Sequence, residues 1–303
     1  MRKKIVLAGG SGFLGKSLAN FLVNKDYQVV ILSRKKPASS NPGIKYVQWD
    51  GINIGSWVDE IEDSYAVVNF TGKSVNCIYT IKNKEEIISS RINSVKVLDE
   101  AIKTSKNPPP ALIQAGSLAI FGDTTELKDE TSAHGEGFSV DVCKQWEKEF
   151  FKESLANTRQ VLVRIGFALG KGGGALEPLK KLTRLNLGGT VGSGKQYISW
   201  LHVDDLNEIF LEAIENKAFT GIYNATGPTP VKNKEFMSTL RKVMGKGWTP
   251  PAPSPFVWLG AYLFMGTEPS LALTGRNCIP KRLQETGFQF RHTDLEKALK
   301  DLI

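Results

Sequence analysis

The stretch Gly9-Gly10-Ser11-Gly12-Phe13-Leu14-Gly15 sets glycines at 9, 12 and 15, and the chemistry that spacing serves is the cradling of an anion. Gly9 permits a tight turn, Gly12 lets backbone amides approach a pyrophosphate, and Gly15 lets the following helix pack closely; the helix N-terminus favours the negative charge. A glycine pattern alone is weak, but here it follows an apolar run of strand length and precedes a helical periodicity, the context in which it binds a dinucleotide. At the end of the next apolar run stand Ser33, Arg34, Lys35 and Lys36, where an NAD site carries a carboxylate for the ribose. A carboxylate repels a 2′-phosphate, whereas an arginine grips one with two charge-assisted bonds. NADP(H) is therefore the expected cofactor; the alternative account of Arg34 is an exposed charge at a strand end.

The elements that must hold these groups follow from periodicity. Apolar runs at 4–9, 27–34, 66–72, 111–117, 159–170 and 221–227 read as strands, and helices are expected near 84–105, 139–156 and 204–216. Near-continuous Val/Ile/Leu strands separated by helices imply a parallel sheet covered on both faces, so the expected fold class is α/β, a doubly wound Rossmann-type sheet. After residue 170 the texture turns Gly- and Pro-rich. The expected division is a dinucleotide-binding domain over 1–170 and a smaller lobe over 171–303, with the strand near 221–227 returning to the first sheet. The stretch 249–255, TPPAPSP, reads as an extended segment laid over the smaller lobe rather than a hinge.

Composition narrows the class. With 303 residues, 41% apolar and 23% charged, the chain is an ordinary globule rather than a disordered one. Its +8 charge is spread along the sequence, and short pairs such as Lys180-Lys181 read as solvated faces, so no nucleic-acid partner is expected. Cys77, Cys143 and Cys278 are far apart and odd in number, which fits a reducing cytoplasm and no disulfide framework. The longest strongly apolar stretch, 256–266, falls short of the roughly 20 residues that span a bilayer. Three histidines without ligand spacing suggest no metal site, and no G-x-S-x-G stands between a strand and a helix to suggest a hydrolase.

Beyond these motifs, VVNFTGKSV (67–75), SLAIFGD (117–123), WEKE (146–149), GSGKQYISWLHVDDL (192–206), GIYNATGPTPVKNKEF (221–236) and IPKRLQETGFQF (279–290) resemble an atypical subgroup of the extended short-chain dehydrogenases/reductases. This is the sugar-nucleotide epimerase-like, YfcH-like group with a C-terminal domain of unknown function. The resemblance runs end to end. It implies that NADP(H) is held by the Gly-rich loop, by Ser33 and Arg34, and by the strand end Asn69-Phe70-Thr71-Gly72. It also implies that Glu86 and Arg91, in the helix start E-x-x-x-S-R, lie near the cofactor; a charge at a helix N-terminus is the rival account of Glu86.

In ordinary members of that superfamily a Ser, a Tyr and a Lys four residues after the Tyr do the proton chemistry. Ser117 matches the serine position, with strand-end capping as its other reading. Ser139 and Cys143 stand where the Tyr and Lys belong, and no tyrosine in the chain has a lysine four residues later. Cys143 reads as a small buried residue, and His202 as part of a helix start capped by Asp204 or Asp205. Lys73, Ser74 and Asn76 lie at the ligand edge of the sheet, and Tyr197 and Trp200 either stack on a substrate or pack in a core. Two functions remain. One is an NADP-dependent oxidoreductase or epimerase-like enzyme acting on a small polar substrate, in which Ser117, 73–76 and 190–200 converge. The other is an NADP(H)-dependent sensor that docks a partner through an exposed apolar patch. The resemblance also allows a homodimer through the helix at 139–156.

Overall fold

A computed structural model describes residues 2–35, 41–263 and 266–303; Lys36, one of the basic residues after the second strand, lies outside them. Seven parallel strands run β1 (Lys4–Ala8), β2 (Gln28–Ser33), β3 (Ile44–Gln48), β4 (Ala66–Asn69), β5 (Ala111–Ser117), β6 (Arg159–Ile165) and β7 (Gly221–Ala225), in the spatial order β7-β6-β5-β4-β1-β2-β3. Growth of the sheet reverses between β1 and β4, so the crevice at their carboxyl ends is the ligand site of such a fold.

Alternation along the strands builds two cores. Ile5 and Leu7 point to one face, where α1 (Phe13–Asn24) supplies Leu18 and Leu22 and α5 (Val203–Glu215) supplies Leu206, Ile209 and Phe210. Val6 and Ala8 point to the other, against Val95, Leu98 and Ile102 of α2 (Ile81–Thr104) and Trp146 and Phe150 of α3 (Phe138–Phe150). Every buried strand thus shows apolar residues on both faces, which is why the runs read as continuous rather than alternating.

Three readings change. The amphipathic edge strand β3 was not legible as a strand beside its fully buried neighbours. The helix expected over 139–156 ends at Phe150, where Phe151 N–H turns back to Glu147 O (3.1 Å) and Asn157 takes a positive φ of 63°. The long run 159–170 breaks at Gly166, whose Cβ would lie 2.4 Å from Ser199 O; beyond it Phe167–Leu169 pairs with Trp200–His202 instead. The division at 170/171 is crossed by α5, which packs into the core of the sheet, as well as by β7, whose return to the sheet was expected. The smaller lobe gathers α4 (Leu176–Arg184), α6 (Asn233–Val243) and the C-terminal helix Leu295–Leu302 around Leu176, Phe236, Leu299 and Leu302, together with Leu169 and Trp200. Residues 250–252 run extended against 189–192, with Ala252 N–H on Thr190 O (2.8 Å) and Gly192 N–H on Ala252 O (2.9 Å).

Candidate functional site

The Gly-rich loop leaves β1 through Gly9 at φ +67°, where a Cβ would meet Thr71 within 2.6–2.9 Å. Gly15 packs its Cα side not on the sheet but on the loop itself, 2.4 Å from Gly10 Cα for an added Cβ, while Gly12 faces open space. Gly12 begins α1 with no side-chain cap and no acidic residue in the first turn. The first amides of α1 therefore keep their donors, in a field that favours an anion. Phe13 is not itself at the opening: its ring lies in a groove of Gly170, Gly173 and Gly174, where added Cβ atoms would come within 2.4–2.9 Å of it. Leu14 packs against the sheet core. Gly10 fits against Leu7, and Ser11 is exposed.

Ser33 is buried at the end of β2 and gives its hydroxyl to Lys35 O (2.8 Å), shaping a turn that leaves Arg34 exposed. At the end of β4, Asn69 is fully buried; its Nδ2 donates to Gln114 Oε1 (2.9 Å) and Ser94 Oγ (3.2 Å), and its Oδ1 accepts the Thr71 N–H (3.0 Å). That network fixes the turn. Thr71 Oγ1 is then buried without a partner, an acceptor and donor held ready beside Gly9. Phe70 packs edge-on against Phe210, ring centroids 5.0 Å apart. An uncapped helix start, an open Gly12 and an unsatisfied Thr71 hydroxyl fit the pyrophosphate of a nicotinamide dinucleotide. Ser11, Gly12, Thr71 and Arg34 are the residues that would hold it, and such a cofactor supplies and accepts hydride.

Beside the cradle, Lys73 donates to the Glu86 carboxylate and holds it below the usual carboxylate range, and it also donates to Asn83 Oδ1 (2.7 Å). Glu86 and Lys73 therefore brace the loop after β4. Arg91 does more: Nη1 donates to Ile87 O (2.8 Å) and Lys73 O (3.1 Å), and its guanidinium lies over the Trp146 ring (5.0 Å) and against Gly72, where a Cβ would come within 3.0 Å. Ser117 Oγ accepts the Ala119 N–H (3.1 Å) and starts the 3-10 turn Leu118–Phe121. Its capping role is realised, and its own proton remains free to donate. On α3, Ser139 lies beside Tyr79, and Cys143 is buried, its thiol pushed up to about 12 by desolvation. A thiol so placed stays neutral and is no substitute for lysine.

Several residues were missed by the sequence reading. Tyr79, from the loop after β4, packs edge-on against Phe138 (5.0 Å). Arg164 on β6 forms a buried bidentate pair with Glu147 of α3 (Nε–Oε1 2.8 Å, Nη2–Oε2 2.7 Å), with His134 Nε2 3.3 Å away. A charged residue inside an apolar strand was the available signal. Arg276, from the C-terminal segment, joins the loops: its N–H reaches Tyr197 O (2.9 Å), and nearby Glu268 receives the Tyr79 N–H (3.3 Å) and gives its own to Cys77 O (3.2 Å). Trp200 is core, with Nε1 on Thr229 O (3.0 Å). His202 is itself the cap of α5, Nδ1 accepting the Asp204 N–H (3.2 Å), while Asp205 instead takes the amides of Arg291 and His292 (2.8 and 3.0 Å).

His202, Asp204 and His292 also come together within 4.8 Å, which the sequence spacing concealed. The two rings stack at 3.7 Å and 21°, so their lone pairs do not converge on a shared point, and Nδ1 of His202 is already occupied.

The NAD-dependent epimerase/dehydratase family matches residues 5–225, and a domain of unknown function, DUF1731, matches 252–302. The epimerase family protein YfhF of Bacillus subtilis is 33% identical over 302 residues, covering 99% of this chain and 97% of that one. A human epimerase family protein, SDR39U1, solved with NADPH, superimposes with a TM-score of 0.87 at 30% identity, over 99% of this chain and 98% of that one. A nucleoside-diphosphate sugar epimerase from Corynebacterium glutamicum gives 0.77 at 28% identity, over 99% of this chain but 57% of that one. With its Gly-rich crevice, seven-stranded sheet and C-terminal segment, the chain belongs to the NAD-dependent epimerase/dehydratase family, in the atypical short-chain dehydrogenase/reductase branch that carries DUF1731.

Proposed function

We propose that the protein binds NADP(H) and works as an oxidoreductase or epimerase-like enzyme on a small polar substrate, without the Tyr-x-x-x-Lys pair. The observation that carries the cofactor half is the pairing of an uncapped α1 with Arg34 at the end of β2, a donor set built for a pyrophosphate and a 2′-phosphate. NADPH in the solved human relative supports the same choice. For the chemical half, the support is polar: Ser117 keeps a free proton, and Tyr79 and Arg91 lie against α3 at Phe138 and Trp146, near where the usual pair would stand. The experiment is to saturate the protein with NADPH and follow its fluorescence while adding carbonyl compounds and nucleotide-sugars singly. Consumption by any of them supports the enzyme; tight binding with no consumption across the panel sinks it.

A second reading, an NADP(H)-dependent partner-binding protein, is favoured by one feature. The apolar helix Ser254–Leu263 exposes Phe256 (70%), Trp258 (53%) and Leu259, a surface that a monomer seldom shows to water.

A further inference from the structure

The stacked rings of His202 and His292 join the start of α5 to the segment before the C-terminal helix. His202 is buried, and its Nδ1 accepts the Asp204 N–H (3.2 Å), so its proton sits on Nε2, which is buried without a partner among the described residues. The His292 ring covers it at 3.7 Å. Two carboxylates face the pair. Asp204 Oδ2 lies 3.6 Å from His202 Nδ1 and 3.8 Å from His292 Nε2, and Asp301 Oδ2, from the C-terminal helix, lies 3.5 Å from His202 Nε2. The other charged groups here have partners: Asp205 takes the amides of Arg291 and His292, Arg291 reaches Glu208 (2.8 Å), and Lys171 stands 4.0 Å from Asp301 Oδ2.

A further proton does not fit this arrangement. On His202 Nδ1 it removes the acceptor that caps α5 and sets a cation at a helix N-terminus. On both rings it opposes two like charges at stacking distance. Burial, and then the charge of His292, push the His202 imidazole below its ordinary range. The Asp204 carboxylate is the acceptor within reach of a protonated Nδ1, so the start of α5 has two arrangements: neutral His202 capping the helix, or charged His202 held by the Asp204 side chain with the cap lost. Contacts carry the difference to the cofactor cradle. His202 pairs with Leu169, Val203 Cγ1 lies 3.1 Å from a Cβ added at Gly170 in the groove that seats Phe13, and Asn207 Nδ2 donates to Ser17 Oγ of α1 (2.9 Å). We propose that His202 and His292, with Asp204 and Asp301, form a proton-operated latch that holds the starts of α5 and α1 when neutral and loosens both in acid, weakening NADP(H) binding. By reciprocity, cofactor binding expels the proton. The folded chain takes up this proton less readily than the unfolded one, where histidine titrates near about 6.5. The latch is therefore fully closed above that pH and is lost as pH falls below it. The inference goes beyond the oxidoreductase reading and rests on the cofactor site only for the effect on NADP(H).

The test uses the full chain between pH 7.5 and 5.0, with two readouts: NADPH fluorescence titration, and amide hydrogen exchange at 13–17 and 203–207 corrected for the intrinsic effect of pH. His202→Asn keeps a capping acceptor but does not titrate. The expected result is that NADPH affinity falls about tenfold further in wild type than in His202→Asn, and that exchange at both helix starts speeds up in wild type only. Titration of the cofactor's own 2′-phosphate affects both proteins alike and cancels in the comparison. Asp204→Asn, which removes the group that receives the proton, is expected to move the fall to lower pH, and it decides the matter if His202→Asn does not fold. An equal fall in wild type and His202→Asn, exchange indifferent to pH at both helix starts, or a fall that Asp204→Asn does not move overturns the proposal. NADPH that binds at no pH, while exchange still follows His202, supports the latch and contradicts the cofactor reading alone.

Discussion

The proposed preference for NADP(H) rests on one exposed charge, Arg34. Replacing it with aspartate puts a carboxylate where a 2′-phosphate would sit, and the loss of two charge-assisted bonds is worth about 2–3 kcal/mol, roughly 30- to 150-fold. Arg34→Asp is therefore expected to lower NADPH affinity by about that factor while NADH affinity stays level or rises, and added salt should narrow the gap. Asp99 makes a different prediction. Buried in α2 with Oδ1 unbonded, its carboxyl is raised by desolvation to about 7. The folded state then holds a proton that the unfolded state releases near pH 4, so stability falls as pH rises between about 4 and 7. Asp99→Asn should flatten that slope by about 1–2 kcal/mol, a discounted figure because Lys103 and solvent screen the site; chemical denaturation at pH 4.5 and 7.5 reads it. At this scale the cofactor loop, Ser33 and Arg34 were legible because their chemistry depends on type and short spacing. Tyr79 was not, since only the folded chain brings it against Phe138 of α3.

Between elements, the decisive joint is Phe13 in its groove of glycines, which ties the start of α1 to the segment 170–174. Gly173→Ala places a Cβ 2.4 Å from the Phe13 ring, so α1 must shift or the ring must leave. Weaker NADPH binding and a lower Tm are expected together, and Phe13→Ala should rescue part of both, a non-additivity that a double-mutant cycle measures. The Arg164–Glu147 pair joins β6 to α3 out of water, at 2% and 9% side-chain exposure. Glu147→Gln leaves a buried cation unpaired, at a cost of about 3–5 kcal/mol; a Tm fall of about 10 °C by calorimetry would bear this out, and a change below about 2 °C would show that the pair is not structural. Buried strands and the helices over them were readable from apolar runs. The break at Gly166 was not, because it depends on distant Ser199, and the edge strand β3 was not, because its half-exposed residues lack a continuous apolar run.

Taken whole, the smaller lobe has its own small core, but that core is built in part from Leu169 and Trp200 on the segments that leave the sheet, so the two are expected to unfold together. One thermal transition is expected by calorimetry; two resolved transitions would contradict this. The strand near 221–227 returns to the first sheet as the sequence leads one to expect, and α5 packs on that sheet too after the chain has entered the lobe. The outer face of α2 and α3 carries Lys96, Glu100, Lys103 and Glu149, with Lys152 just past the end of α3. No helix among the described residues is long and apolar enough to cross a membrane. The central claim is that the crevice between β1 and β4 is an NADP(H) site whose choice of cofactor rests on Arg34. It is tested most directly by fluorescence titration of wild type and Arg34→Asp with NADPH and NADH. The account predicts tight NADPH binding, at least tenfold weaker NADH binding, and loss of that preference in Arg34→Asp. NADPH that fails to bind, or binds no better than NADH and is indifferent to Arg34→Asp, would contradict it.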